Sequence, residues 1–240
     1  SQAIQSVNMA RHAGFENFSI DLIYGIPGLD IEGWRENILT ALELNVPHLS
    51  AYHLTFEEGT LFDRWRREGR LREADENLSI EQFRLLNRLT ASAGYHHYEI
   101  SNYAREGCES RHNTAYWEGK TYLGIGPSAH SYNGRERLWN IPENEKYINS
   151  VSDGIPESER EILGENMLYN EAVMTGLRTS KGLDTLLIEK KFGKKTAGYC
   201  LRAAESWIRT NKMTYDKGVL KLTEEGMFVS DRIMSDLFIA

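Results

Sequence analysis

Apolar positions in the first sixty residues switch between two rhythms. Ala3, Ile4, Val7, Met9 and Ala10 keep a helical spacing that fades near His12, and the same spacing returns over Ile31 to Leu44. Between and after these runs, Phe18 to Tyr24, rich in isoleucine and aromatic residues, and the short segment His48 to Leu54 read as strands. Helix and strand in alternation predict a parallel α/β sheet or barrel. Gly14 suits the end of the first helix, and Gly25-Ile26-Pro27-Gly28 makes a turn that cannot prolong the strand before it.

From Thr60 to Ala93 the text is helical and densely charged, with Leu61, Phe62, Trp65, Leu78, Ile80, Phe83, Leu86 and Leu89 as apolar faces and the charges as a solvated face. Residues 95 to 140 crowd together tyrosines, tryptophans and histidines. Pro142, Gly154 and Pro156 among polar residues predict a linker over 141–159, which separates a region 1–140 from a small domain 160–240. In that last domain, helices near Glu165 to Leu177, Leu183 to Lys191 and Gly198 to Arg209 precede a hairpin turning at Asp216-Lys217-Gly218 and a final helix from Glu224 to Phe238, the order of a winged helix.

A chain of 240 residues, 40% hydrophobic, can bury a sizeable core. No apolar stretch approaches the length of a membrane span, and the start shows no signal peptide, so a cytoplasmic location is expected. The helical rhythm begins almost at Ser1, as expected of a piece cut from a longer protein. The net charge of −7 argues against phosphate-backbone binding, and nucleic acid is not an expected partner. Cys108 and Cys200 are too far apart for local metal-ligand spacing, so no metal site is expected.

Alternation in the first strand sets Ser19, Asp21 and Ile23 on one face. Asp21 is expected to point into the barrel, where a carboxylate either joins a structural network or serves a ligand hydroxyl or amine. In the second strand Leu49, Ala51, His53 and Thr55 share a face and are expected to open on the same mouth. The run Tyr122-Leu123-Gly124-Ile125-Gly126-Pro127-Ser128-Ala129-His130 is either a close-approach loop for a ligand or a glycine-rich bend carrying a surface histidine. It lacks the ending of a phosphate loop. His112, Asn113, Tyr116 and Trp117 gather an imidazole, an amide and two aromatics. They are either a packed surface or, because imidazole ligates iron and aromatics stack on flat macrocycles, a porphyrin site.

Asp21 to Gly28, Leu49-Ser50-Ala51-Tyr52, Tyr98 to Ala104, Arg111-His112-Asn113 with Tyr116-Trp117, and Leu123 to Pro127 together resemble the oxygen-independent coproporphyrinogen III oxidase-like radical S-adenosylmethionine proteins. The His-Asn-x-x-Tyr-Trp string resembles their haem-chaperone branch. The resemblance implies the late part of a partial (β/α) barrel followed by a winged-helix-like domain. It also implies a 4Fe-4S cluster and S-adenosylmethionine in the intact protein, with the cluster's cysteine triad absent here and the chain itself inactive. Asp21, Thr55 and the position of His130 correspond to cofactor contacts, His130 departing from the oxidase pattern. His112, with Asn113, Tyr116 and Trp117, is implied as a haem contact. The implied ligand is haem or coproporphyrinogen III, with a haem-accepting protein as partner, and the open strand edges of a cut barrel predict self-association.

Overall fold

A computed structural model describes residues 1–154 and 156–240, and the chain divides into two compact units, Ser1–Ser110 and Arg111–Ala240.

The first unit runs α1 (Gln2–His12), β1 (Ser19–Tyr24), α2 (Ile31–Glu43), β2 (His48–His53), α3 (Leu61–Arg67), α4 (Glu76–Ser92), β3 (His96–Glu99) and β4 (Asn102–Ala104). Each helix after the first starts on a side-chain cap: Asp30 accepts from the Gly33 amide at 2.8 Å, Thr60 from Asp63 at 3.3 Å, and Asp75 from Asn77 at 2.9 Å. Such caps satisfy amides that the helix itself cannot. The four strands form one sheet in the order β1-β2-β4-β3. Only β1 and β2 are parallel; β4 runs antiparallel to both β2 and β3, so a hairpin ends the barrel-like series.

One face of this sheet is the core. Ile20, Leu22 and Tyr24 from β1 pack against Trp34, Ile38 and Ala41 of α2 and Leu85 and Leu86 of α4, joined by Leu49 and Ala51 of β2 and by Tyr103. Trp34, Ile38, Leu49, Leu86 and Tyr103 are wholly buried, and an apolar side chain buried this way contributes about 1.5–3 kcal/mol. Not every charge between Thr60 and Ala93 faces solvent: Asp63 is buried, accepting from the Gly59 amide at 3.1 Å and from Arg66 at 2.8 Å, with Arg67 also in contact.

The second unit runs α5 (Arg111–Trp117), β5 (His130–Tyr132), β6 (Glu136–Asn140), α6 (Asn144–Ser152), β7 (Ser158–Ile162), α7 (Glu165–Arg178), β8 (Leu183–Asp184), α8 (Thr185–Arg209), β9 (Met213–Asp216), β10 (Val219–Leu222), α9 (Glu224–Met227) and α10 (Ser230–Leu237). The described residues of the segment expected as a linker, 141–154 and 156–159, include regular elements. The segment carries α6, and β7 pairs with β6 from Asn140↔Ser158 to Glu136↔Ile162, so Pro142, Gly154 and Pro156 punctuate elements of one sheet rather than separating domains. The compact units correspondingly part at Ser110 and Arg111, not at residue 140.

From α7 onward the winged-helix order is present. The sheet β8-β10-β9 forms the wing, and its hairpin turns through Lys217 and Gly218, both with positive φ. The two helices expected before the hairpin meet end to end in α8, broken at Gly193, where φ 85° and ψ 164° leave the helical region. A residue with a Cβ is strained at that φ, which makes glycine the residue suited to the break. Tyr169, Val173, Leu177, Cys200, Ala204, Leu220, Ile233 and Leu237 fill the core.

Candidate functional site

Parallel pairing of β1 with β2 decides which side chains share a face. The register is Ser19↔His48, Asp21↔Ser50 and Ile23↔Tyr52, so Asp21 stands beside Ser50 on the sheet face turned away from the helices. The face expected for β2 is therefore the wrong one: Leu49 and Ala51 lie in the helix-side core. His53 pairs with Tyr24 there, its ring edge-on to the tyrosine at 5.2 Å and its Nε2 within 3.0 Å of Ser79 Oγ. Burial pushes the His53 imidazole below its ordinary pKa. Thr55 lies beyond the end of β2 and is exposed.

The face that Asp21 does occupy is polar. His48 lies 2.7 Å from Ser19 Oγ through Nδ1 and 2.7 Å from the Tyr98 hydroxyl through Nε2, while Ser19 Oγ is 3.3 Å from Ser50 Oγ. The Tyr98 hydroxyl also accepts from the Ser110 amide at 3.2 Å. Its proton is then free to go to His48 Nε2, leaving Nδ1–H to donate to Ser19. Burial lowers the pKa of His48 against the opposing pull of Glu99, Asp21 and Glu109, which favours this neutral imidazole. Glu99, buried, accepts from the Ser101 amide at 2.9 Å and from the Asn102 side chain, and Asn102 Oδ1 is buried without a hydrogen-bond partner among the described residues. Asp21 itself is exposed. An exposed carboxylate beside a preset line of hydroxyls can accept from a ligand's hydroxyl or amine.

The loop after β1 is fixed from α4. Gln82, wholly buried, accepts from the Gly25 amide at 2.9 Å and donates to the Leu29 carbonyl at 2.9 Å, while Trp34 Nε1 donates to the Gln82 carbonyl at 2.8 Å. His97 is structural too: its ring stacks on Tyr103 at 4.2 Å and its Nε2 lies 3.0 Å from the Ile100 carbonyl.

In the second unit α5 carries the clustered motif. His112 and Tyr116, one turn apart, meet edge to face at 4.7 Å, and Tyr116 meets Tyr122 in the same manner at 4.6 Å. Tyr122 continues to Tyr132 at 6.0 Å. His112 is exposed and Asn113 half-buried. The Arg178 guanidinium lies 4.8 Å from the Trp117 ring centre. His130 is exposed and tilted against Trp139 at 5.9 Å, and its carbonyl closes on Gly124, where any Cβ would collide with it. Gly124 thus serves a close approach within the chain, while Leu123 and Ile125 on either side are among the most exposed apolar residues.

A cavity of about 470 Å³ opens beside this aromatic row, walled by Tyr116, Tyr122 and Tyr132 and, across from them, by side chains of α7 and α8. Of its carboxylates, Glu171 pairs with Arg137, and Glu118 is held at a pKa of about 2 by Lys181 at 2.8 Å and Lys120 at 2.9 Å. Neither these groups nor Lys190, Lys191, Lys194 and Lys195, which are exposed on both sides of the Gly193 break, are among the site residues expected from sequence. The lysine run was visible as a local charge cluster; the cavity had no sequence signal.

Residues 165–229 match the HemN C-terminal domain. The chain is 30% identical over 229 residues to the heme chaperone HemW of Bacillus subtilis, covering 95% of this chain and 60% of that protein, and 34% identical over 194 residues to HemW of Lactococcus lactis, covering 80% and 50%. The chain is similar along most of its length to HemN/HemW-like radical S-adenosylmethionine proteins. The fold agrees: the solved coproporphyrinogen III oxidase HemN of Escherichia coli, a radical SAM enzyme, superposes with a TM-score of 0.76 at 21% identity, over 98% of this chain and 58% of that one. The mitochondrial radical S-adenosyl methionine domain-containing protein 1 of Danio rerio is 30% identical over 190 residues, covering 75% of this chain and 43% of its own length. The chain thus spans about half the length of the curated relatives it matches.

S-adenosylmethionine and a 4Fe-4S cluster are the cofactors of this family. The donors present do not fit the cluster. Cys200 is wholly buried within α8 of the second unit, Cys108 belongs to the first, and no group of three metal-ligating side chains occurs among the described residues. No helix among the described residues is long and apolar enough to cross a membrane.

Proposed function

We propose that the chain is part of a haem-binding chaperone of the HemW type rather than of a coproporphyrinogen decarboxylase. The observation that carries this reading is the geometry of α5, where the exposed imidazole of His112 stands edge-on to Tyr116 and begins an aromatic row through Tyr122. An imidazole lone pair can bond haem iron while the flanking rings shield the macrocycle's edge. Asn113, Tyr116 and Trp117 complete the haem-contact set, and the HemW names of the bacterial relatives point the same way. Asp21 and Thr55 are the residues of this chain we assign to S-adenosylmethionine in the full-length protein. Asp21 is supported by its exposure on the polar face and Thr55 by its place just past the end of β2. His130 is assigned with them on its sequence position alone. We place the protein in the cytoplasm, handing haem to an acceptor protein, without nucleic acid as a partner, and we expect the 240-residue chain alone to self-associate.

Full-length protein, reconstituted anaerobically, is to be tested side by side for haem binding, by its Soret band, and for coproporphyrinogen III decarboxylation. Haem binding without decarboxylation is expected, with His112→Ala lowering haem affinity more than Tyr116→Phe, which keeps its ring. Sustained decarboxylation with no histidine variant affecting haem would replace the chaperone by the oxidase.

A further inference from the structure

We infer that the cavity between the aromatic row and the α7–α8 helices seats the porphyrin ring itself, so that tetrapyrrole recognition by this chain does not depend on iron. The inference rests on the haem-binding reading above and adds to it a second set of contacts, separate from His112.

The cavity's volume of about 470 Å³ lies within the range of about 300–1,000 Å³ usual for small-molecule sites. Its two sides suit a flat apolar ligand. Tyr116, Tyr122 and Tyr132 offer ring surfaces on one, while Met174 of α7 and Leu187 of α8 line the other although they are 41% and 61% exposed. Exposed apolar side chains facing a row of aromatic rings are surface that a planar hydrophobic ligand would cover. Charge narrows the ligand further. Of the lining carboxylates, Glu118 and Glu171 are tied to Lys120, Lys181 and Arg137, and Asp184 accepts from the Leu186 and Leu187 amides at the start of α8, so none of the three repels an anion as a free carboxylate would. Lys191, also in the lining, ion-pairs with no carboxylate among the described residues and rests 5.2 Å from the Phe192 ring centre. A ring with carboxylate side chains could stack against the tyrosines and Leu187 while one carboxylate meets the Lys191 ammonium. His112 does not line the cavity but touches Tyr116, which does, so an iron ligand and a ring seat can be neighbours without being the same residues.

The test uses full-length protein titrated in parallel with haem and with metal-free protoporphyrin IX, each followed by its Soret band. Leu187→Glu and Lys191→Glu are surface changes that place a carboxylate against the ligand without emptying the core. Each is expected to weaken protoporphyrin IX binding about tenfold, and the Lys191→Glu loss should shrink as salt is raised. His112→Ala should keep metal-free affinity within about twofold while losing haem affinity. Circular dichroism of each variant checks that it folds; a variant that does not fold is replaced by Leu187→Gln or Lys191→Gln, with the same direction expected. If wild type binds haem but not protoporphyrin IX, or if both cavity variants bind protoporphyrin IX as wild type does, the cavity is not the seat and the His112 reading stands alone. If wild type binds neither ligand, both inferences fall.

Discussion

Gln82 is the residue whose replacement should do most to the loop that follows Asp21. Its side chain is wholly buried and makes two hydrogen bonds across the loop, one from the Gly25 amide and one to the Leu29 carbonyl, each 2.9 Å long. Gln82→Met keeps the length of the side chain and removes both bonds. A buried polar group left without a partner costs about 1–3 kcal/mol. The Gly25 amide should bear that cost in full, because its bond is buried, and the half-buried Leu29 bond should bear less, since water can reach it in part. We therefore expect a loss of about 2–4 kcal/mol. The Trp34 indole bonds the main-chain carbonyl of Gln82, so that contact survives the substitution and keeps α2 and α4 together. The assay is urea unfolding of the first unit, monitored alongside amide exchange at Gly25. With a slope of about 2 kcal/mol per molar urea, the middle of the usual range, the midpoint should fall by roughly 1–2 M. Gly25 exchange should accelerate by at least tenfold, since a factor of ten corresponds to about 1.4 kcal/mol. A loss below about 0.5 kcal/mol with Gly25 still protected would show that the loop is held by its own turn, in which the Leu29 amide bonds the Ile26 carbonyl at 3.0 Å.

Further outcomes follow from the same structure. Burial lowers the pKa of His48, His53 and His97, so over the interval between each lowered value and the ordinary 6.5 the unfolded chain binds more protons than the folded one. Stability should be complete above about pH 6.5 and decline as pH falls below it, and urea midpoints from pH 7.5 to 5 should show a shallower decline in His97→Phe. In full-length protein, Asp21→Ala should weaken S-adenosylmethionine binding by about 1.5–3 kcal/mol and leave the cluster's absorbance intact; unchanged affinity with a large loss of stability would make the residue structural. The 240-residue chain should be colourless and free of stoichiometric iron after anaerobic reconstitution, because two cysteines in separate units cannot supply a cluster's thiolates; a reproducible cluster spectrum would refute this. A DNA mobility-shift titration should show no shift at about 0.15 M salt, and a shift lost on reversing Lys194 and Lys195 to Glu would instead make the Gly193 bend a nucleic-acid surface.

What could be read from sequence divides along a physical line. Elements whose cause is local were legible: the strand at Phe18 to Tyr24 by its alternation, the turn at Gly25 to Gly28, the hairpin at Lys217-Gly218, and the α5 motif by the closeness of His112 to Tyr116 along one helical turn. Alternation in β2 was legible too, yet it yields only two faces, not which of them meets Asp21. That choice belongs to the pairing of Ser19 with His48, which no residue of either strand announces alone. One step of register moves His53 to the helix side of the sheet, where its ring meets Tyr24, and puts Ser50 beside Asp21 and His48 beside Ser19. The cavity was beyond reach for a related reason: Tyr116 and Tyr132 come from one stretch and Leu187 and Lys191 from another some fifty residues on, and nothing in either stretch says that the two face each other. The supposed linker failed for the opposite reason, since Pro142, Gly154 and Pro156 are turn residues whether the segments they bound pair with a sheet or hang free. Local chemistry thus fixes where a side chain can sit along its own element. Which partners it meets is fixed by packing, and it is the pairing of β1 with β2 that sets Asp21 beside Ser50 rather than beside Leu49 and Ala51.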